Sequence, residues 1–423
     1  MNNEEYNNMP KRSKKFKYKP LSLKEIIREM KQNIDLMIDL AYSAIKFGSK
    51  ELADEVYKIE QRIHELTFLL NFQIIQAHPQ GQEGAKKLEP IVVMGYSIDK
   101  ISDALSDIAR VVYINNDIQY FIQLFSDISF VPEPIVKIIV NKDCNFIGQV
   151  RADIHFRSKH GVDLIAIRRG DEWLFEKTEK ILLKDILIVK GEIQPIIELK
   201  AQCNDLEPFS FEIGEQKTDL LLDFENSDIC EKIEELQKNY VLITDISETM
   251  IELALAAIFL NNDELAEDIL EMEELMDGLN LAFEKDLLDF VKLVETPRDL
   301  TGIMRIIFSC ELIADAATHI AENIIKGFEP HPILQQAIRE TSEIVVRETL
   351  SEDSFFKEKS YSELQDRRYK RGFHIIALKR ENKWIYRFAP DFIFQEGDRL
   401  IGLGPKETVL EWRKCVNPEK YRE

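Results

Sequence analysis

The chain has no C-x-x-C pair. Its five cysteines, Cys144, Cys203, Cys230, Cys310 and Cys415, are scattered and odd in number, which argues against thiolate zinc or dithiol redox chemistry and fits a reduced, cytoplasmic setting. No apolar run approaches the roughly 20 residues that span a bilayer, and the first twenty residues hold no apolar core of a signal peptide. A complete phosphate-cradling loop is missing too. The stretch GLGPKE at 402–407 follows strand-like sequence, but Glu407 stands where a dinucleotide fingerprint has its third glycine, and no acidic ribose ligand follows before Glu423. His155, His160, His319 and His374 have no second histidine or cysteine at ligand spacing and read as satisfied or solvent-facing imidazoles. With neither a nucleophile and base nor a paired acid and base, the sequence reads as non-enzymatic.

What is present is acid. The 423 residues carry a formal net charge of −21, with 45% hydrophobic and 31% charged residues, a multidomain composition with room for about two to four domains. The acidic balance excludes nucleic acid as the main partner. Against this background KRSKKFKYKP crowds Lys11, Arg12, Lys14, Lys15, Lys17 and Lys19 around Phe16 and Tyr18. Residues 1–20 read either as a disordered, solvated basic tail or as an electrostatic tether to anionic lipid or an acidic partner.

Sliding the chain on itself shows an internal duplication. LAYSAIKFGSKELADEVYKIE from Leu40 aligns with LALAAIFLNNDELAEDILEME from Leu253, ISDALSDIAR from Ile101 with IADAATHIAE from Ile313, and Gly161 with Gly372, a nearly constant offset of about 212 residues. Each half opens with apolar residues at three- and four-residue steps, broken first at Gly48 and Ser49. The spacing predicts helices across 23–76, from about 88 through 122, and then over 236–259, 264–294 and 300–325, a three-helix bundle in each half. The prolines of VPEP (131–134) and EPHP (329–332) end the helical parts. Short β-branched runs follow: PIVKIIV, VDLIAIRR, EWLFEK and DILIVKG, then SEIVVRE, FHIIALKR, KWIYRF and DRLIGLG. The expected fold class is α+β multidomain, two three-helix bundles alternating with two small α+β domains. The expected boundaries are a tail at 1–20, bundles at 21–130 and 231–330, small domains at 131–206 and 331–418, and a linker at 207–230.

The closing part of each half carries a family resemblance. GFHIIALKRENKWIYRFAPDFIFQEGDRLIGLGPKE resembles the RCK C-terminal (TrkA-C) family of cytoplasmic regulators of potassium channels and cation transporters. Its strand ends in the basic pair Lys379 and Arg380, and Pro390, Gly397 with Asp398, and Gly404 follow in the family's order. In the first copy Arg168, Arg169, Asp185 and Gly191 match, but Lys184 replaces the glycine before Asp185 and the proline is missing, so that copy is more diverged. The resemblance implies modules that sense a small ligand or ion, working as a pseudo-symmetric pair. Some family members bind cyclic di-AMP between two copies, and that binding motif is not found here. Arg168, Arg169, Lys379, Arg380 and Asp398 are the candidate ligand residues, since guanidinium and ammonium groups match the phosphate oxygens of a nucleotide. The basic pairs equally suit the solvated end of a hairpin.

The helical parts resemble PhoU-type domains over most of 21–127 and 231–327. That family carries acidic residues at i and i+4 on two helices. Here Glu60 and His64, Asp99 and Asp103, Glu273 and Asp277, and Glu311 and Asp315 occupy those places, with His64 departing from the carboxylate norm. Carboxylates four apart share one helix face, so two such helices can present several oxygens to a divalent metal. A strongly acidic chain also generates such pairs by chance on solvated faces.

The combined expectation is a cytoplasmic, non-enzymatic regulator of potassium or other cation transport. Its small domains sense a ligand, its bundles relay the state to a membrane transporter or channel, and a homodimer is among its expected assemblies. The alternative is a metal-binding adaptor in phosphate-uptake signalling.

Overall fold

In the computed structural model the described residues are 21–47, 50–77, 81–114, 135–170, 172–174, 178–205, 227–292, 300–327, 331–338, 343–364, 373–386 and 388–421. The basic stretch at 11–19, the VPEP boundary, Gly48, Ser49 and Gly372 lie outside them.

The first bundle is built from α1 (Leu23–Phe47), α2 (Lys50–Gln76) and α3 (Gly81–Arg110). A reciprocal cap starts α1. Ser22 Oγ accepts from the Glu25 amide at 3.3 Å while Glu25 Oε2 accepts from the Ser22 amide at 2.7 Å, so two otherwise orphaned donors are satisfied. The three- and four-residue apolar spacing becomes a buried stripe, with Ile27, Met30, Ile34 and Met37 fully enclosed. Helix α3 begins at Gly81, earlier than the spacing predicts, and runs through Pro90. Burial of Pro90, Ile91 and Met94 against the bundle offsets the backbone hydrogen bond that proline removes.

The second bundle repeats the plan in α5 (Ser227–Leu260), α6 (Asp263–Val291) and α7 (Thr301–Ile325), after the small-domain helix α4 (Ile193–Gln202). Asn262 caps α6, its Oδ1 accepting from the Leu265 amide at 3.0 Å. Helix α5 is already under way at Ser227, within the stretch expected to be a linker. The bundles join along α3 and α7, and the short helix α8 (Pro332–Ile338) crosses back onto α1. Tyr42 and Ser247 hydroxyls meet at 3.2 Å between α1 and α5.

Each small domain is a four-stranded antiparallel sheet. The first has β1 (Ile135–Ile139), β2 (Val162–Arg169), β3 (Glu172–Leu174) and β4 (Ile186–Gly191) in the order β1-β4-β2-β3. The second has β5 (Glu343–Thr349), β6 (His374–Arg380), β7 (Lys383–Ile385) and β8 (Arg399–Pro405) in the order β5-β8-β6-β7 and ends in α9 (Val409–Val416). A bulge recurs at the same place, between Leu164 and Ala166 and between Ile375 and Ala377, so the duplication extends to a local irregularity. Gly402 and Gly404 leave room for Trp412 and Phe373, because a Cβ there would stand 2.9 and 2.7 Å from those residues. The two rings stack at 5.1 Å.

Among the described residues both faces of each small-domain sheet pack on parts of the chain other than the opposite sheet. One face of each sheet packs under its own helix and loops, around Ile138, Phe146 and Leu199 in the first domain and Phe356, Phe394 and Trp412 in the second. The other face joins the bundle core through Ile165, Ala166 and Ile188, or through Val345, Ala377, Ile401 and Tyr386. Among the described residues the sheets therefore have their apolar faces on helices, and burying those faces outweighs any sheet-to-sheet contact.

Charge reinforces this docking. Asp268 on α6 is 1% exposed and accepts from Arg347 Nε and Arg399 Nη1, each at 2.9 Å. Lys190 on β4 lies 3.5 Å from Asp39 on α1 and 3.3 Å from Glu248 on α5.

Candidate metal centre

Helices α2 and α3 run antiparallel and bring the first four candidate metal residues together. Asp99 Oδ1 lies 2.7 Å from Nδ1 of His64, and Asp103 Oδ1 and Glu60 Oε1 lie 3.2 and 3.6 Å from its Nε2. One donor atom each from Glu60, His64 and Asp103 fall within 4.8 Å of one another. Glu60 is 4% exposed, and its other oxygen accepts from Ser106 Oγ at 2.8 Å and Arg110 Nη2 at 3.0 Å. The neighbouring Asp103, Asp99 and Glu60 carboxylates raise the His64 pKa to about 11, so the imidazolium acts as a built-in counter-ion. Its Nε2 is buried without an aligned hydrogen-bond partner. With Nδ1 held by Asp99, that is also the disposition in which a neutral histidine ligates a metal. Proton and metal thus compete for one atom.

Helices α6 and α7 bring Glu273, Asp277, Glu311 and Asp315 together, but with opposite electrostatics. Burial, then Asp277 by hydrogen bond and charge, then Asp315 and Glu273, raise the Glu311 pKa to about 7. Glu273 is raised by burial and by Asp277, Asp315, Glu274 and Glu322. Glu311 Oε2 is buried with no hydrogen-bond donor. Among the described residues none of the four has a cationic partner. The alignment supplies the reason: the helix offset that places Glu60 on Glu273 and Asp103 on Asp315 places His64 on Asp277 and Arg110 on Glu322. Both cations of the first cluster become acids in the second. Among the described residues only the first cluster places three donor atoms within 4.8 Å of one another; its mixed nitrogen and oxygen donors are of the kind borderline ions such as Zn²⁺ take, whereas the all-oxygen donors of the second are of the kind hard ions such as Mg²⁺, Ca²⁺ or Mn²⁺ take. Arg110 is not legible as part of the site in the sequence, because ligand spacing marks the carboxylates and not the charges set against them. The His64 departure was the visible half of the same exchange.

The candidate ligand residues of the small domains sit elsewhere and do not converge on one site. Arg380 donates Nε and Nη2 to the two oxygens of Asp398 at 2.7 Å each and Nη2 to the Ile393 carbonyl at 2.8 Å. Arg169 does the same with Asp185 at 2.9 Å and the Lys180 carbonyl at 2.7 Å. Asp398 and Asp185 also accept from the Gln395 and Leu182 amides at 2.8 Å. Each Arg–Asp pair closes the turn that precedes the last strand of its sheet. Lys379 is 8% exposed, pairs with Glu271 of α6 and lies 5.4 Å from the centre of the Trp384 ring. Arg168, on β2 opposite Trp173, is half-buried.

Residues 27–112 and 241–324 match the PhoU domain family, and the chain carries two PhoU domains. They coincide with the two bundles and include all eight candidate metal residues. No curated protein matches the chain. Solved structures similar to it include one titled "Crystal Structure of the GsuK RCK domain", at 13% identity, covering 69% of this chain and 64% of that one with a TM-score of 0.17. Another, titled "GsuK channel bound to NAD", shows 11% identity over 68% and 53% with the same TM-score. The chain thus spans less than two thirds of the length of these two structures. Among the described residues no helix is long and apolar enough to cross a membrane.

Proposed function

We propose that the chain is a cytoplasmic, non-catalytic regulator of potassium or other cation transport whose second PhoU domain takes a divalent cation. The observation that carries this reading is the replacement of His64 and Arg110 by Asp277 and Glu322 at aligned places in the duplicated bundles. The first cluster sets two cations against its three carboxylates, and the second, with none of its own, draws an ion from solution. Binding that ion removes repulsion between α6 and α7. Asp268 and Glu271 on α6 hold Arg347, Arg399 and Lys379 of the second sheet, so a change in α6 reaches the small domain through a contiguous set of ion pairs.

The small domains, read as RCK C-terminal modules, supply the second input. A phosphate-bearing ligand such as a nucleotide that drew Lys379 from Glu271 would loosen the second sheet from its bundle. The output is a membrane transporter or channel. Thermal stability measured with divalent cations and nucleotides, together with co-purification of a membrane partner, tests this. A shift with a cation and a co-purifying transporter are expected, and no response to any cation or nucleotide would remove the sensing role.

The alternative, a metal-binding adaptor in phosphate-uptake signalling, is favoured by the PhoU match at both bundles. Phosphate uptake that depends on Glu311 and Asp315, with cation flux unchanged, would select it.

A further inference from the structure

We propose that two neighbouring turns of the first small domain, 141–149 and 180–185, dock on an anionic lipid surface through Ile147, Leu182 and Leu183, with Lys142, Lys180 and Lys184 around them.

Backbone hydrogen bonds hold the two turns side by side. The Gly148 amide donates to the Ile181 carbonyl at 2.7 Å, the Ile181 amide to the Gln149 carbonyl at 3.0 Å and the Lys184 amide to the Val140 carbonyl at 2.8 Å. The aliphatic side chains are left outside: Ile147, Leu182 and Leu183 are 39%, 42% and 44% exposed. Lys142, Lys180 and Lys184 are exposed beside them, and among the described residues none of the three has an ionic partner. Of the acids nearby, Glu179 and Asp185 face Arg169, which leaves Asp143 against three lysines. On a chain of net charge −21 this is a local reversal of sign.

The second small domain shows the same turns without this chemistry. There the Glu358 amide donates to the Phe394 carbonyl at 2.9 Å, as Gly148 does to Ile181. Ile147 therefore aligns with Lys357, and Leu182 and Leu183 align with Gln395 and Glu396. Lys357 and Glu396 close that surface with an ion pair at 3.0 Å, so side chains at the places of Ile147 and Leu183 lie within reach of one another. Lys142, Lys180 and Lys184 align with Glu352, Ile393 and Gly397. Where the second domain pairs its charges, the first presents an apolar tip with a basic rim.

Size and charge identify the partner. Three partly exposed aliphatic side chains fall far short of the roughly 1,200 Å² that a stable protein–protein interface buries. They suffice as a wedge in the headgroup region of a bilayer, where apolar side chains gain from burial and lysines from the negative surface potential. The argument does not depend on metal binding.

Co-sedimentation of the full chain with vesicles of phosphatidylserine and phosphatidylcholine, and of phosphatidylcholine alone, tests the proposal together with hydrogen exchange. Expected are salt-sensitive binding to the anionic vesicles and slower exchange at residues 141–149 and 180–185 on binding. Affinity should fall about tenfold or more in Ile147→Lys/Leu182→Gln/Leu183→Glu, and likewise in Lys142→Ala/Lys180→Ala. The triple variant writes in residues that the second domain already carries, and an unchanged melting temperature shows that it is folded. Anionic-vesicle binding that both variants keep would assign the contact to the basic stretch at 11–19 and overturn the proposal. So would equal binding to phosphatidylcholine alone, or binding to neither vesicle. A dimer in vesicle-free buffer that the triple variant loses would assign the patch to a second copy and overturn it too.

Discussion

Nδ1 of His64 lies 2.7 Å from Oδ1 of Asp99, and at the aligned place in the second bundle Asp277 meets Glu311, an acid beside an acid. Together with the exchange of Arg110 for Glu322, this difference leaves the second cluster without the cations the first one holds, and on the proposed reading a divalent ion takes their place. The consequences can be measured as stability, affinity and pH dependence.

The first prediction concerns pH. Glu311 titrates at about 7 in the fold against an ordinary value of 4.5, so the folded state favours its protonated form. Its contribution to stability is complete below the ordinary value and is lost as pH rises through about 7. In metal-free buffer the melting temperature should therefore fall between about pH 4.5 and 7 and level off above that. Millimolar Mg²⁺, Ca²⁺ or Mn²⁺ should restore it, more at pH 8 than at pH 6, because the ion binds the deprotonated carboxylates. A profile indifferent to divalent ions would count against the second cluster as a metal site.

His64 has the same sign over a higher window. Its raised pKa makes its contribution to stability complete below about 6.5, and that contribution declines as the pH rises to about 11, while the imidazolium itself keeps its charge from pH 5 to 9. His64→Asp writes the second cluster's residue into the first. In metal-free buffer it should cost about 1–3 kcal/mol, since it strands acceptors that had a charged partner. The first bundle should also gain a stability response to divalent ions. Calorimetry with and without Mn²⁺ checks both effects.

The clasp between Arg380 and Asp398 yields a third test. Asp398 is 1% exposed, and Arg380→Ala leaves that carboxylate buried and uncompensated, which should cost about 3–5 kcal/mol. Lys379→Met keeps the clasp and removes the tie to Glu271 together with the ammonium over the Trp384 ring. It should leave the second sheet folded while raising hydrogen exchange where β6 meets α6. Equal effects of the two substitutions would mean that the clasp does not have the structural role described.

A fourth prediction is a gain. Lys184 holds a left-handed backbone at φ +70°, where the second copy has Gly397 at +85°. A lysine is strained there and a glycine is not. Lys184→Gly should stabilise the first small domain by about 0.5–1 kcal/mol, read from chemical denaturation, after allowing for glycine's greater freedom in the unfolded chain.

Much of this was legible in the sequence because the two periodicities are clean. VDLIAIRR and FHIIALKR became β2 and β6 within one residue, and Leu23, Lys50 and Asp263 start helices near where the apolar spacing places them. The start of α3 was missed because Pro90 reads locally as a helix breaker, while burial in the bundle overrides it. The roles of the basic pairs were not legible. Whether Arg380 faces solvent or a buried aspartate 18 residues away depends on strand register, which no local pattern specifies. The fate of the sheets was hidden for a similar reason. Ala377 and Ile401 look like core residues of a small domain, and only the assembled chain shows that their core is the bundle's.

The most direct test of the central claim is metal content. The full chain, dialysed against one divalent ion at pH 8, is measured by elemental analysis beside Glu311→Gln/Asp315→Asn and Glu60→Gln/Asp103→Asn. The account predicts bound Mg²⁺, Ca²⁺ or Mn²⁺ in the parent and in the first-bundle variant, and its loss in the second-bundle variant. A well-folded parent that holds none of these ions, or one whose ion survives loss of Glu311 and Asp315, would contradict it.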